Sequence, residues 1–228
     1  MIVLVVCMQR SGSTFSYNIA REVLCGRGTV HHEAGDDLRA AMRRADGTDH
    51  VIVKTHANDP FAVSLLQLGG ARAICTVRPI RDALASWIET FGRDDDTIVA
   101  GMRDWLALYR ALRPHALIIP FDKIDRHPLW AAWRIGRYIA DGIWPTETAR
   151  IGLRYTKKRI KPLTDALRRD APGVVDAGFT WYDSTTLLHR RHVSTLASRR
   201  SEQADRAERI ARLMAILAPD IADAGLSA

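Results

Sequence analysis

Three groups of residues have the types and spacing to hold phosphate and to move a proton. Arg10-Ser11-Gly12-Ser13-Thr14 follows the apolar run Ile2-Val3-Leu4-Val5-Val6, Lys54-Thr55-His56 follows Val51-Ile52-Val53, and Arg78, with Ser86 beyond it, follows Ala73-Ile74-Cys75-Thr76-Val77. A Ser/Gly/Thr-rich turn at a helix amino end presents several backbone N–H groups and the positive end of the helix dipole, so it binds a phosphate. Arg10 adds a fixed charge at that point. In the nucleotide-triphosphate loop, G-x-x-x-x-G-K-[ST], a lysine stands where this chain has Ser13, which disfavours a β,γ-phosphate ligand. Taken alone, the turn is equally compatible with an ordinary Ser/Thr-capped helix.

Ser86 lies seven residues beyond Pro79, close to two helical turns, so Arg78 and Ser86 lie along the same side of one helix. An arginine fork and a hydroxyl placed in this way can hold a second phosphate. Lys54 and His56 put a cation and an imidazole at a strand end. With an ordinary pKa of about 6.5, a histidine can take a proton from a hydroxyl near neutral pH. The three groups together describe a site for a doubly phosphorylated nucleotide with a base beside it.

These residues converge only if the strands before them are parallel neighbours, because the carboxyl ends of parallel strands open onto one crevice. The pattern supports that arrangement. After the first strand, Phe15, Ile19, Val23 and Leu24 recur at helical spacing. A loop holding Gly26, Gly28 and His31-His32-Glu33 is expected next, then a helix from about Asp36 to Arg44 and a strand ending at Lys54. Pro60 to Leu68 reads as a short helix closed by Gly69-Gly70. A strand ending at Val77 precedes a helix that starts at Pro79 and carries the stripe Leu84, Trp87, Ile88 and Phe91. A helix over Thr97 to Leu112, a fourth strand over Ala116 to Ile119 and a helix over Leu129 to Ile139 follow. Alternation of this kind predicts an α/β fold, a parallel sheet flanked by helices, in a single domain over residues 1–228. From Trp144 to Ser198 the periodicity weakens and basic residues cluster, so a mainly helical and loop segment covering the sheet edge is expected. Arg206 to Leu217 reads as an amphipathic helix.

Lys plus Arg exceed Asp plus Glu by 33 − 26 = 7 in 228 residues, a balance that favours anionic ligands without choosing among them. Cys7, Cys25 and Cys75 show no C-x-x-C spacing, and two of them fall inside strand patterns, which predicts buried thiols in a reducing compartment. His31, His32 and Glu33 lack a third partner at metal-ligand spacing, so no metal site is expected. The opening apolar run is too short for a signal-peptide core, and no stretch approaches the roughly 20 residues needed to span a bilayer. A soluble cytoplasmic protein is the expectation.

The three groups resemble the motifs of the sulfotransferase family, whose donor is 3′-phosphoadenosine 5′-phosphosulfate (PAPS). Arg10 to Phe15 is similar to the family's 5′-phosphosulfate loop, K/R-S-G-[ST]-T-[WF], and Lys54-Thr55-His56 to the K-T-H of cytosolic members. Val77-Arg78-Pro79-x-Arg81-Asp82-x-x-x-Ser86 resembles the 3′-phosphate motif V-R-N-P-x-D-x-x-x-S with one residue missing before the proline. Ile118 to Ile124 stands where the family has a strand ending in a Y-E-D-L-like turn. The late loop R-K-G-x-x-G-x-W has no match; His189-Arg190-Arg191-His192-Val193-Ser194 stands in its place without the glycines and the tryptophan.

The resemblance implies a P-loop-like sulfotransferase fold that binds PAPS and releases adenosine 3′,5′-bisphosphate (PAP), with no metal. Ser11, Gly12, Ser13 and Thr14 would hold the 5′-phosphate, and Arg78 and Ser86, with Arg190 and Arg191, the 3′-phosphate. Phe15 would stack on adenine or belong to the core. His56 would be the base, with Glu33 as the alternate used by carbohydrate-acting relatives, while Lys54 and Arg10 stabilise developing charge. The acceptor would be a small molecule, lipid or carbohydrate offering a hydroxyl or amine, its pocket lined by Trp144, Tyr155, Trp181 and Tyr182, and nucleic acid is not an expected partner. Two rivals remain on the residues alone. A P-loop small-molecule kinase would need magnesium-dependent ATP turnover, and a noncatalytic nucleotide- or nucleic-acid-binding module would show DNA affinity that falls steeply with salt.

Overall fold

The computed structural model describes residues 1–178, 180–189 and 200–226. Five parallel strands, β1 (Ile2–Val6), β2 (Val30–Ala34), β3 (His50–Thr55), β4 (Arg72–Val77) and β5 (Ala116–Pro120), form a sheet in the order β2-β3-β1-β4-β5. Between them run α1 (Ser13–Cys25), α2 (Leu38–Arg44), α3 (Pro60–Gln67), α4 (Ile80–Phe91) and α5 (Asp95–Leu112). The chain leaves β1 through α1 toward one edge, whereas it leaves β4 through α4 and α5 toward the other. The carboxyl ends of β1 and β4 therefore flank a topological switch point, where an open α/β sheet has its crevice.

Alternation along each strand sends side chains to opposite faces. Val3, Val5, Ile52, Ile74 and Ile119 pack against Ile19 and Val23 of α1 and against Ala131 and Ile135 of α7 (Pro128–Ile139). Leu4, Val6, Val53 and Ala73 face α2, α3 and the end of α5 on the other side. Cys75 faces α4, α5 and α10 (Arg200–Asp223), whose Leu213, Leu217 and Ile221 form the apolar stripe expected of that helix.

Two segments differ from the sequence pattern. His31-His32-Glu33 lies in the edge strand β2, not in a loop: each of its residues pairs in parallel register with β3. Its polar side chains hide the strand because they are satisfied one by one, His32 by Tyr17 and Glu33 by His31 and Arg44, instead of by an apolar face. The last third also departs from an edge cover. A short α6 (Phe121–Arg126) follows β5, and α8 (Pro145–Arg154) forms a second layer against α1 and α7, with α9 (Lys157–Asp165) beside it. The α7–α8 contact is made by small residues, which is why apolar periodicity does not show it. A Cβ at Gly136 would lie 2.5 Å from Thr148 Cγ2, and one at Gly152 would lie 2.8 Å from the Ala132 Cβ. An antiparallel hairpin of β6 (Val174–Asp176) and β7 (Trp181–Asp183) completes the segment.

Among the described residues no helix is long and apolar enough to cross a membrane.

Candidate active site

The turn after β1 is built by its own hydrogen bonds before any ligand is considered. Ser11 is fully buried; its hydroxyl donates to the Met8 carbonyl at 2.5 Å and shares a 2.8 Å bond with Thr76 Oγ1, tying the turn to the end of β4. The Ser11 N–H donates to the same Met8 carbonyl at 3.3 Å. Ser11 thus shapes the turn and does not line the cleft, unlike Gly12, Ser13 and Thr14. Gly12 is in the left-handed region, φ 90°, and a Cβ there would come within 3.0 Å of Ile124 Cδ1. No other residue fits that position without strain. Arg10 also has positive φ, 64°, a conformation uncommon for a residue with a side chain. With no side-chain cap at Gly12, the first N–H groups of α1 remain available at its positive end.

Strand register delivers the cations. Lys54 pairs with Val5 and follows Ile52 by two, so it points to the α1 face, where its ammonium donates to Thr14 Oγ1 at 3.2 Å. Likewise Arg78 continues the Ile74 and Thr76 side of β4. Its guanidinium lies 4.6 Å from the centre of the Phe121 ring and donates to the Arg10 carbonyl at 3.3 Å, while its Nε is buried without a partner. Arg10 Nε donates to Ser86 Oγ at 3.1 Å. His56 donates from Nδ1 to the Cys7 carbonyl at 2.6 Å; a carbonyl only accepts, so Nδ1 carries the proton and Nε2 is the basic nitrogen. Thr55 holds this loop by donating to Asp36 at 2.9 Å and accepting from the Ala57 N–H at 3.1 Å.

Burial dominates the electrostatics. It pulls the Lys54 ammonium down to about 8, with the Arg10 charge acting in the same direction and Cys7 opposing. It pulls His56 down to about 4, helped by the Lys54 charge, so the imidazole is neutral at pH 7. Burial also lowers Arg10, which faces the Arg78 charge, and Arg78 itself. Such a set of desolvated cations is stabilised by an anion placed among them.

One cleft of about 960 Å³ gathers these groups. Arg10, Gly12, Ser13, Thr14, Phe15, Lys54, His56, Arg78 and Ser86 all line it. Phe15 lines the cleft while only 7% exposed and belongs to the core against α7. Glu33 is not brought to the cleft. On β2 it accepts from Arg44 Nε at 3.0 Å and pairs with His31 at 2.8 Å, and the Arg44 hydrogen bond holds its carboxyl below the usual range. Arg190 and Arg191 lie outside the described residues. Of the four aromatic candidates for an acceptor pocket, only Tyr155 lines the cleft; Trp144 is 74% exposed, and Trp181 and Tyr182 belong to the β6–β7 hairpin. Phe121, from the Ile118 to Ile124 stretch, also lines the cleft, as do Trp87, Thr156, Lys157 and Lys158, which no motif includes. Thr156 ahead of two lysines at a helix start was the available signal. Among the described residues no three His, Cys, Asp or Glu side chains come together as a metal site would require.

No family model and no curated protein matches this chain in sequence. Solved structures do match it in shape. Mouse sulfotransferase SULT7A1 complexed with PAP superposes with a TM-score of 0.58 at 14% identity, over 93% of this chain and 84% of that one. This chain has the sulfotransferase fold. Retinol dehydratase shares it at 12% identity and TM-score 0.58, over 93% of this chain, in complex with androsterone and PAP (80% of that chain) and with retinol and PAP (81%). At such identities the likeness concerns the sulfotransferase fold alone.

Proposed function

We infer that the protein is a PAPS-dependent sulfotransferase that moves a sulfuryl group to a hydroxyl or amine of an acceptor. One observation carries this reading: a single cleft at the switch point joins Lys54 and His56, beside a helix amino end without a loop lysine, to Arg78 and Ser86. A nucleotide with phosphates on two sides needs both sets of residues, whereas ATP needs only the first. The cradle at Gly12 and the unpartnered Nε of Arg78 suit such an anionic ligand. The neighbours' bound PAP lends the reading support from outside the chain.

In this mechanism the N–H groups of Gly12 to Thr14 hold the 5′-phosphate, Arg78 and Ser86 the 3′-phosphate, and Phe15 bounds the adenine end. Arg190 and Arg191 are the remaining candidates for the 3′-phosphate. PAPS supplies the sulfuryl group and a bisphosphate leaving group. His56 Nε2 takes the acceptor's proton as its oxygen or nitrogen bonds to sulfur, while Lys54 and Arg10 stabilise the charge left on the phosphate oxygen as the S–O bond breaks. No metal is called for, because the donor has no β- and γ-phosphates to bridge. Three free thiols, Cys7, Cys25 and Cys75, support a reducing cytoplasmic setting.

Calorimetry tests the donor. PAP should bind far more tightly than AMP or ATP, and equal affinity for AMP would remove the role given to Arg78 and Ser86. A mass-spectrometric screen of acceptors incubated with enzyme and PAPS tests the reaction through the gain of one sulfuryl mass, and a strict magnesium requirement would favour phosphoryl transfer instead.

A further inference from the structure

Residues 121–165, which form α6 to α9, carry ten basic against five acidic side chains, so this fifth of the chain holds a net +5 of the formal +7. Three of those carboxylates are already taken, Asp125 by Lys157, Glu147 by Arg27 and Asp165 by Lys161. Lys158 and Arg159 make no ion pair among the described residues. The same stretch holds five of the nine large apolar side chains that stand exposed among the described residues: Leu129, Trp130, Trp144, Leu153 and Leu163. Single exposed leucines are ordinary; their concentration within a strongly basic part of the chain is not.

The geometry joins charge and apolar surface. Leu129 Cδ2 lies within 3.3 Å of where a Cβ on Gly152 would be, which sets it beside Leu153. Leu153 borders a surface depression with Thr156, Lys158, Arg159 and Pro162. On α9, Arg159, Pro162 and Leu163 fall at i, i+3 and i+4, so Leu163, 61% exposed, shares their face. Arg134 lies 5.6 Å from the Trp130 ring, a basic head over an aromatic. Leucines and tryptophan among unpaired Lys and Arg are the composition of a surface that sits at a lipid headgroup boundary, apolar tips in the acyl region and cations on the phosphates.

We propose that the α7–α9 face docks on an anionic lipid bilayer. A second copy of the chain is a poorer occupant, since a two-fold contact through this face would press +5 against +5. Nucleic acid would satisfy the charge but leave Leu153 and Leu163 without an apolar partner. Thr156 and Lys158 line both the depression and the cleft, so docking brings the mouth of the cleft to the headgroup layer. The docking stands independently of the reaction proposed above; its consequence, that the acceptor group is presented on an amphipathic molecule held in the bilayer, rests on that reaction.

Co-sedimentation of the full chain with vesicles tests the docking without any turnover. Vesicles of phosphatidylcholine with a quarter phosphatidylglycerol should carry the protein down at low salt, and phosphatidylcholine alone should not. Each basic residue at the surface adds about five-fold to partition, so raising the salt should release the protein. The double variant Leu153→Glu, Leu163→Glu alters two exposed positions. It should keep the thermal melting point while losing ten-fold or more in vesicle binding. Absence of binding to the anionic vesicles at low salt would overturn the proposal. So would binding that the double variant leaves intact, or duplex DNA binding that displaces the vesicles and ignores the two leucines.

Discussion

The two walls of the cleft hold their cations in different ways. On one wall Lys54 reaches from β3 beneath the amino end of α1 to a neutral hydroxyl, Thr14, and His56 is pinned through Nδ1 to a backbone carbonyl; both are shifted far by burial. On the other, Arg78 lies over the Phe121 ring within reach of the charges of Asp82 and Asp125, and Ser86 is held by Arg10. A group whose proton affinity is set by burial can respond to charge that appears during a reaction. A guanidinium stays charged throughout and cannot give up or take a proton in that way. Under the proposed reaction this contrast corresponds to proton transfer on the Lys54–His56 wall and nucleotide affinity on the Arg78–Ser86 wall.

The largest expected effect breaks the first wall alone. His56→Ala should lower kcat by about 10²–10⁴ while calorimetry finds PAP affinity almost unchanged, because the proposed mechanism gives the imidazole a contact with the acceptor and none with the nucleotide. A parallel loss of PAP affinity would mean that the two walls are not separable in this way.

Lys54→Met should weaken PAP binding by about one to two decades, the worth of a charge-assisted hydrogen bond, and also lower kcat. It has a pH signature. With its pKa pulled to about 8, Lys54 is charged below that value and neutral above it, and a polyanion favours the charged form. PAP affinity of the native protein should therefore fall as pH rises through about 8, with proton uptake on binding in that range. The Lys54→Met protein should show neither effect, and a flat native profile would contradict the assignment.

Arg78→Ala should raise the donor KM by about one to two decades and leave kcat and the acceptor KM nearly as they were. Ser86→Ala should cost about 1 kcal/mol, roughly five-fold, as a neutral donor does. A larger effect on kcat than on donor KM in either variant would erase the distinction between the walls. The smallest effect belongs to Glu33→Gln. Bound to Arg44 and His31 on β2 and absent from the cleft wall, Glu33 should change turnover by less than about two-fold, compared with the decades that general-base loss costs. Loss of activity there would move the base away from His56.

Much of this was legible in the chain. The strands ending at Val6, Lys54-Thr55 and Val77 stand where β-branched runs give out, and the amphipathic stripe of α10 faces α5 as its spacing requires. What was not legible has two causes. Strand β2 is an edge whose polar side chains find single partners, so it carries no alternation to read. Helix α8 packs through Gly136, Thr148, Gly152 and Ala132, where close approach replaces apolar bulk as the signal.

Sequence alone determined the turn after β1, the identities of the cations and the strand ends from which they project, because backbone preference, side-chain period and helix polarity act over a few neighbouring residues. Tertiary structure decided which of those residues meet. The order β2-β3-β1-β4-β5 brings Lys54 to Thr14 and Arg78 to Arg10 across 40 and 68 residues of chain, and the second layer of helices adds Tyr155 and Lys158 to the cleft while Glu33 remains outside it. The physical reason is that long-range contacts are set by how sheet and helices share one core, a property of the whole packing that no short window of residues contains.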